Sequence, residues 1–175
     1  MRKLKLQMNL LLDNKWDAGM SKFSLENLIT VDTILHGRVT AEGFIPYWTE
    51  VANDPTNGEH ALGKRFMEIP NVVISNTLKE SKWPNTTVLA GSLEGSVTKL
   101  KHEGAGDILV YGGNSFAASL IQHGLVDEYH VMINPSSLGN GQSSFNPVKD
   151  DSKLSLKECT HFDCGAVLLR YLPKE

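Results

Sequence analysis

A chain of 175 residues, 41% apolar and 21% charged, has the composition of one ordinary globular domain. Its formal net charge of −3 comes with no basic block, which argues against nucleic-acid binding, because neutralising phosphates takes a cationic surface. No apolar run reaches bilayer length, and polar residues interrupt the opening "MRKLKLQMNLLLDNKW" with no small-residue cleavage site after it, so a cytoplasmic chain is expected.

In the first ten residues, Leu4, Leu6, Met8 and Leu10 alternate with Lys3, Lys5, Gln7 and Asn9. A period of two predicts a strand with one covered face. Turn-prone residues follow at Asp13-Asn14 and Asp17-Ala18-Gly19, then "SLENLI" at 24–29 reads as a helix capped by Ser24. "VDTILHG" at 31–37 reads as a strand ending in glycine. The helix expected from Arg38 is broken at Gly43 and stopped before Pro46. Residues 53–58, "NDPTNG", are loop, and "EHALGKRFMEI" is a helix stopped by Pro70. "NVVIS" at 71–75 and "TTVLA" at 86–90 are short strands, and "LEGSVTKLKHEG" at 93–104 is a helix with Leu93, Val97 and Leu100 on one side.

A strand at 107–111 hands over through Gly112-Gly113 to a helix from about Ser115 to His123, closed by Gly124. "VDEYHVMIN" at 126–134 alternates, with Val131 and Ile133 as its apolar positions. "KLSLKECTHF" and "AVLLRYL" form an antiparallel hairpin around Asp163–Gly165. Strands alternating with helices imply crossover units and a largely parallel sheet, with the hairpin as an antiparallel edge. The expectation is one α/β domain, residues 1–175, with no internal repeat or domain boundary.

Cys159, Cys164 and His161 form too small a ligand set for structural zinc, so no metal and no disulfide are expected. Asn85-Thr86-Thr87 matches a glycosylation acceptor that has no meaning without secretion.

In open α/β sheets ligands gather at the carboxyl ends of parallel strands, beside helix N-termini. Gly112-Gly113 occupies such an end. Either it is a plain tight turn, or it lets a ligand approach the backbone, with the following helix start and Asn114 or Ser115 offered to an anion. "ILHGRVT" at 34–40 repeats the pattern and puts Arg38 in a first turn, where the helix dipole disfavours a cation. Two readings stand: an anion bound there, with Thr40 contributing its hydroxyl, or a surface arginine paired with Glu42. "ISNTL" at 74–78 is a third polar strand end. Together the three suit an extended phosphate-bearing ligand such as a dinucleotide.

These residues carry a resemblance. "DTILHGRVTAEGFIPYW", "VVISNTL" and "DILVYGGNSFAASLIQHGLVDEYHVMINPSSLGNG" resemble, in order and over nearly the whole chain, the dihydrofolate reductase superfamily. The nearest branch is typified by the reductase domain of the bifunctional riboflavin-biosynthesis protein. The resemblance implies a dihydrofolate reductase-like three-layer fold and a reductase using NADPH, with NADH as the alternative. It implies that Gly37, Arg38 and Thr40 bind the dinucleotide phosphates and that Ser75, Asn76 and Thr77 flank the adenosine end. Gly112 and Gly113, often joined by a cis peptide in the superfamily, would lie against pyrophosphate and nicotinamide, with Asn114, Ser115 and Phe116 completing the loop. A homodimer formed through exposed strands or the terminal hairpin is also implied, as is a stand-alone reductase, since no deaminase segment precedes the first strand.

Several positions depart from that branch. Asn76 stands where arginine is common, weakening the argument for NADPH over NADH, with Arg38, Lys79 and Lys82 as compensating cations. Leu11, Asn14, Ala41 and Ser136-Ser137 also differ, and changes near the substrate side leave a pterin, a riboflavin-pathway pyrimidine or an unrelated heterocycle open. Hydride transfer is the cofactor's chemistry, and an acid is expected to supply the accompanying proton. Glu26, Asp13 and His36 are the candidates, and Trp48 is a candidate for stacking on a planar substrate. The competing reading is a non-catalytic ligand-binding module that keeps the fold.

Overall fold

The computed structural model describes residues 1–8, 17–136, 145 and 153–174. One eight-stranded sheet runs through it in the order β4-β3-β2-β5-β1-β6-β8-β7. Its strands are β1 (Leu4–Met8), β2 (Val31–Gly37), β3 (Asn71–Ile74), β4 (Thr86–Leu89), β5 (Asp107–Tyr111), β6 (Glu128–Ile133), β7 (Leu154–His161) and β8 (Val167–Pro173). The first six are joined by parallel pairings, while β8 pairs antiparallel with both β6 and β7. The terminal hairpin is therefore present with its later strand inside and β7 at the edge.

The helices are α1 (Ala18–Asn27), α2 (Arg38–Asn53), α3 (His60–Glu68), α4 (Leu93–His102) and α5 (Asn114–Gln122). None of the described helices is long and apolar enough to cross a membrane. Val97 and Leu100 of α4 with Ala117, Leu120 and Ile121 of α5 pack against Leu4, Leu6, Leu35, Ile108 and Val110 on one sheet face. Leu28 beyond α1, Leu62 and Phe66 of α3 and the partly buried Phe44 and Trp48 of α2 pack with Ile34 and Leu109 on the other. Three layers result.

The central strands explain two departures from the alternation pattern. A strand covered on both faces must bury its polar alternates with partners. Lys5 accordingly lies 2.8 Å from Asp107, and Gln7 is only 3% exposed beside His130. In β6, Glu128, Tyr129 and His130 are all buried and Met132 is inside, whereas Ile133 is half exposed. The expected position of Leu10 falls outside the described residues.

α2 continues through Gly43 and Pro46 instead of ending there. Proline removes the hydrogen bond to the carbonyl four residues back, but Glu42, Gly43 and Pro46 all lie on the exposed face of the helix, where the loss is not a buried one. Burial of Ala41, Ile45 and Val51 on the opposite face holds the helix together. α3 packs closely against it, since a Cβ on Gly63 would come within 2.8 Å of the Ala52 backbone nitrogen.

α1 also starts earlier than its sequence suggests. Asp17, not Ser24, is the N-cap: one carboxylate oxygen accepts from Met20 N at 2.8 Å and the other from Cys164 N at 2.8 Å, tying α1 to the β7–β8 turn. Ser24 is buried mid-helix. The backbone donors to Asp17, Met20 foremost, hold its carboxyl below the usual aspartate range. A depressed carboxyl stabilises the fold above its unfolded-state value and loses that contribution as pH falls through its lower folded value. Asp17→Ala is therefore expected to lower the urea midpoint at pH 7 and to match the parent once both are acidified below that range. An equal gap at both pH values would remove the carboxylate from the argument.

Candidate functional site

Because β4, β3, β2 and β5 are parallel neighbours, their carboxyl ends line up along one edge of the sheet. There Ser75-Asn76-Thr77, Gly37-Arg38 and Gly112-Gly113 follow the ends of β3, β2 and β5. One side chain joins the last two. A Cβ on Gly37 would meet Phe116 Cγ at 3.1 Å, and one on Gly112 would meet Phe116 Cδ1 at 3.1 Å. Both glycines thus make room for the Phe116 ring. Thr40 adds a second tie, its Oγ1 accepting from Gly113 N at 2.8 Å.

Gly113 differs from its neighbours. Within 4 Å its added Cβ would meet Thr40 Oγ1 alone, at 3.4 Å. Neither Gly112 nor Gly113 has a positive φ, and no cis peptide occurs among the described residues, so the bond between them is trans. Close approach, not unusual dihedrals, is what a glycine at 113 permits.

The helices flanking this edge have a common start. Gly37 is the N-cap of α2 and Gly113 that of α5, and neither cap offers a side-chain acceptor to the first turn. Asn114 and Ser115, the candidates for contact with an anion, lie inside the first turn of α5. No acidic side chain occupies either first turn. Unpaired N–H groups and a positive helix end favour an anion. Arg38 sits in the first turn of α2 and pairs with Glu42 through Nη1, at 2.9 and 3.1 Å, with its side chain 42% exposed.

At the β3 end, Ser75 is buried and its Oγ accepts from Thr77 N at 3.2 Å and Leu78 N at 3.0 Å, closing a tight turn. Asn76 reaches the β4 end, accepting from Gly91 N at 2.8 Å. Beyond it lies an open groove of about 290 Å³, with Gly91, Ser92, Ser96 and Lys99 in its wall. Sequence reasoning missed these four residues. The signal was available, since "VLAGS" repeats the strand-glycine-helix pattern of the other two ends, and Gly91 has φ +123.

The proton candidates separate widely. Glu26 is on the exposed side of α1, 3.8 Å from Lys22. His36 is fully buried, its Nδ1 at 3.1 Å from the Tyr111 carbonyl and its Nε2 at 2.9 Å from Asn71 Oδ1. Burial pushes its proton affinity down, against those two hydrogen bonds, so the structure makes it a core residue. Asp13, Leu11, Asn14 and Ser137 lie outside the described residues. Trp48 belongs to an aromatic cluster, its ring 4.6 Å from Phe66 and 6.0 Å from Phe44. Phe44 in turn stacks on Tyr111 at 5.0 Å, just before Gly112. Burial pushes the Tyr111 hydroxyl far above its ordinary range, which keeps this aromatic shelf neutral. Among the described residues no group of acidic, histidine and cysteine side chains is arranged to hold a metal ion.

Comparison with known proteins gives a consistent set of likenesses. The family model described as RibD C-terminal domain matches residues 15–168. The uncharacterized protein YyaP of Bacillus subtilis (strain 168) is 32% identical over 155 residues, 89% of this chain and 79% of its own length. A diaminohydroxyphosphoribosylaminopyrimidine deaminase/5-amino-6-(5-phosphoribosylamino)uracil reductase from Thermotoga maritima superposes with a TM-score of 0.67 at 18% identity, over 99% of this chain and 57% of that one. Dihydrofolate reductase from Enterococcus faecalis, complexed with NADP(H) and RAB-propyl, gives a TM-score of 0.61 at 12% identity over 99% and 97% of the two chains. At such identities the two structures share the fold of this chain.

Proposed function

Since the chain belongs to the RibD C-terminal domain family, we propose that it is a reductase that takes hydride from NADPH, with NADH as the weaker alternative, and passes it to a small planar heterocycle of the pterin or riboflavin-pathway pyrimidine type. The observation that carries this reading is the joining of the β2 and β5 ends: Phe116 packs on Gly37 and Gly112, and Thr40 holds Gly113. Two helix starts without side-chain caps then lie along this edge, with Arg38 in the first turn of one of them.

The residues present fit a dinucleotide. Gly37, Arg38 and Thr40 would hold its phosphates together with Asn114, Ser115 and Phe116 at the start of α5. Ser75, Asn76 and Thr77, with Ser92 and Lys99 across the groove, would flank the adenosine end. When bound, the nicotinamide supplies the hydride. Gly113 would let a ring lie against the backbone, and the neutral cluster of Phe44, Tyr111 and Trp48 beside it would back the substrate side.

Parallel calorimetric titrations with NADPH and NADH test the reading. Tight NADPH and weak NADH binding supports it and shows that Asn76 is compensated; no binding of either removes it. Arg38→Ala is expected to weaken NADPH roughly tenfold to thirtyfold, about 1.5–2 kcal/mol, by deleting a charge-assisted phosphate contact. Stability should change by less than about 0.5 kcal/mol, because the exposed Arg38–Glu42 pair contributes little. An unchanged Kd removes Arg38 from the phosphate site. A second reading, binding without turnover, is favoured by the position of Glu26 on the exposed face of α1. NADPH bound but not oxidised in the presence of 6,7-dimethyl-7,8-dihydropterin would support it for that substrate class.

A further inference from the structure

One buried polar side chain joins the three strands whose ends carry the candidate site. His36 precedes Gly37 in β2 and is fully buried. Its Nε2 lies 2.9 Å from Asn71 Oδ1 on β3, and its Nδ1 lies 3.1 Å from the Tyr111 carbonyl on β5. The pairing of β2 with β5 runs as far as Leu35 and Val110. One residue further on, the imidazole takes over as a tie between the two strands, immediately ahead of Gly112-Gly113. Phe44 packs on its ring at a centroid distance of 4.7 Å.

Burial disfavours the charged ring, against its two hydrogen bonds, so the neutral form is favoured. A neutral imidazole has one N–H, and here an acceptor faces each of its nitrogens. Two arrangements compete. A proton on Nε2 serves Asn71 Oδ1 and leaves the Tyr111 carbonyl against a bare nitrogen. A proton on Nδ1 serves Tyr111, and the Asn71 amide then turns its NH2 to Nε2, giving up its 3.1 Å contact with the Ile69 carbonyl. A side-chain amide can turn and relax, whereas a carbonyl fixed in a strand cannot. The second arrangement therefore relieves more of the conflict.

Two adjacent glycines have the most backbone freedom to lose on ordering. Downstream, Gly112-Gly113 is anchored, since Thr40 Oγ1 accepts from Gly113 N at 2.8 Å and the Gly113 carbonyl accepts from Phe116 N and Ala117 N. Upstream lies the Tyr111–Gly112 peptide, whose carbonyl oxygen is the one His36 meets. We propose that His36 is a positioning residue for the cofactor edge, its Nδ1–H holding the Tyr111 carbonyl so that the Gly112-Gly113 backbone is set before a ligand arrives. Ordering completed in the free protein does not have to be supplied by binding, and affinity rises accordingly. The consequence for NADPH rests on the reductase reading; the hold on the loop is a property of the free protein.

The test reads the His36 ring of the parent protein by ¹⁵N NMR at neutral pH and the loop by hydrogen exchange at the Gly113 amide. Two variants separate the ring nitrogens: His36→Asn keeps a donor near the Nδ1 position, and His36→Gln keeps one near the Nε2 position. The expected result is a protonated Nδ1 in the parent. Gly113 exchange should stay close to the parent rate in His36→Asn and rise about tenfold in His36→Gln. The NADPH Kd should follow, within about threefold of the parent for the first variant and about tenfold weaker for the second. Similar melting points in the two variants would set this apart from a merely structural role. A bare Nδ1 in the parent overturns the proposal, and that measurement decides where a variant does not fold. So do equal Gly113 exchange rates, or equal Kd values, in the two variants. A parent that binds no NADPH removes the reductase reading instead, and the ring proton and the exchange rates then decide this proposal by themselves.

Discussion

Replacing Arg2 with methionine is expected to lower folding stability by about 3–5 kcal/mol, the range for breaking a buried, hydrogen-bonded charge. The guanidinium side chain is 5% exposed and is shared among several elements. Its Nε donates to the Gly106 carbonyl at 2.8 Å, Nη1 to the carbonyls of Leu100 and Glu103, and Nη2 to Thr33 Oγ1 at 2.7 Å; it also pairs with Asp32. These groups come from the end of α4, the turn before β5 and the start of β2, so a single side chain ties three segments at the amino ends of the strands. Methionine fills the stem volume and leaves the carbonyls unpaired. Melting should fall by on the order of 10 °C. Arg2→Lys should recover little of the loss, because an ammonium lacks the planar fork that reaches all these acceptors. A loss under about 1 kcal/mol in the methionine variant would show that water replaces the fork at no cost.

The second large effect separates two glycines that adjoin in sequence. Gly113→Val is expected to weaken NADPH roughly a hundredfold, about 2.8 kcal/mol, while the fold stays within about 1 kcal/mol of the parent. The backbone at Gly113 is extended, at φ −67 and ψ 166, a region valine adopts readily, and only Thr40 Oγ1 stands near the new Cβ. On the proposed cofactor placement, the branched side chain would enter the space the ligand needs. Gly112→Val should behave in the opposite way, losing about 1–3 kcal/mol of stability because its side chain meets the Phe116 ring. Thermal melts and NADPH titrations of both variants decide the matter. Full NADPH affinity in folded Gly113→Val would sink the cofactor placement, and an unchanged melting point in Gly112→Val would sink the packing account.

Much of this site can be read without coordinates. The "ILHGR" and "LVYGG" stretches announce strand ends followed by glycine, and the strands at 31–37 and 107–111 have the bounds expected of them. The ordered motifs identified the reductase-like fold, and the three-layer mixed sheet agrees with it. Local signals sufficed there because a buried parallel strand is a short apolar run and a glycine after it is unambiguous punctuation.

Other features depend on what lies across the fold. Asp17 reads as a turn residue until Cys164, far along the chain, supplies its second donor. Pro46 reads as a helix stop until one face of α2 is seen packed and the other left to water. Glycines 37 and 112 suggest ligand access, yet their nearest neighbour is Phe116, brought between them by the return of α5. His36 looks like a candidate acid and is enclosed by Asn71 and Tyr111.

By itself, then, the sequence determined the α/β class, the family and the glycine-marked strand ends, since these follow from periodicity, glycine punctuation and ordered motifs along the chain. Only the tertiary structure decided which glycine faces a neighbour and which faces open space, and which polar side chains share a buried network. Gln7, Glu128 and His130 carry no local signal of their partnership, because β1 and β6 are far apart in sequence and meet only when the sheet closes between them.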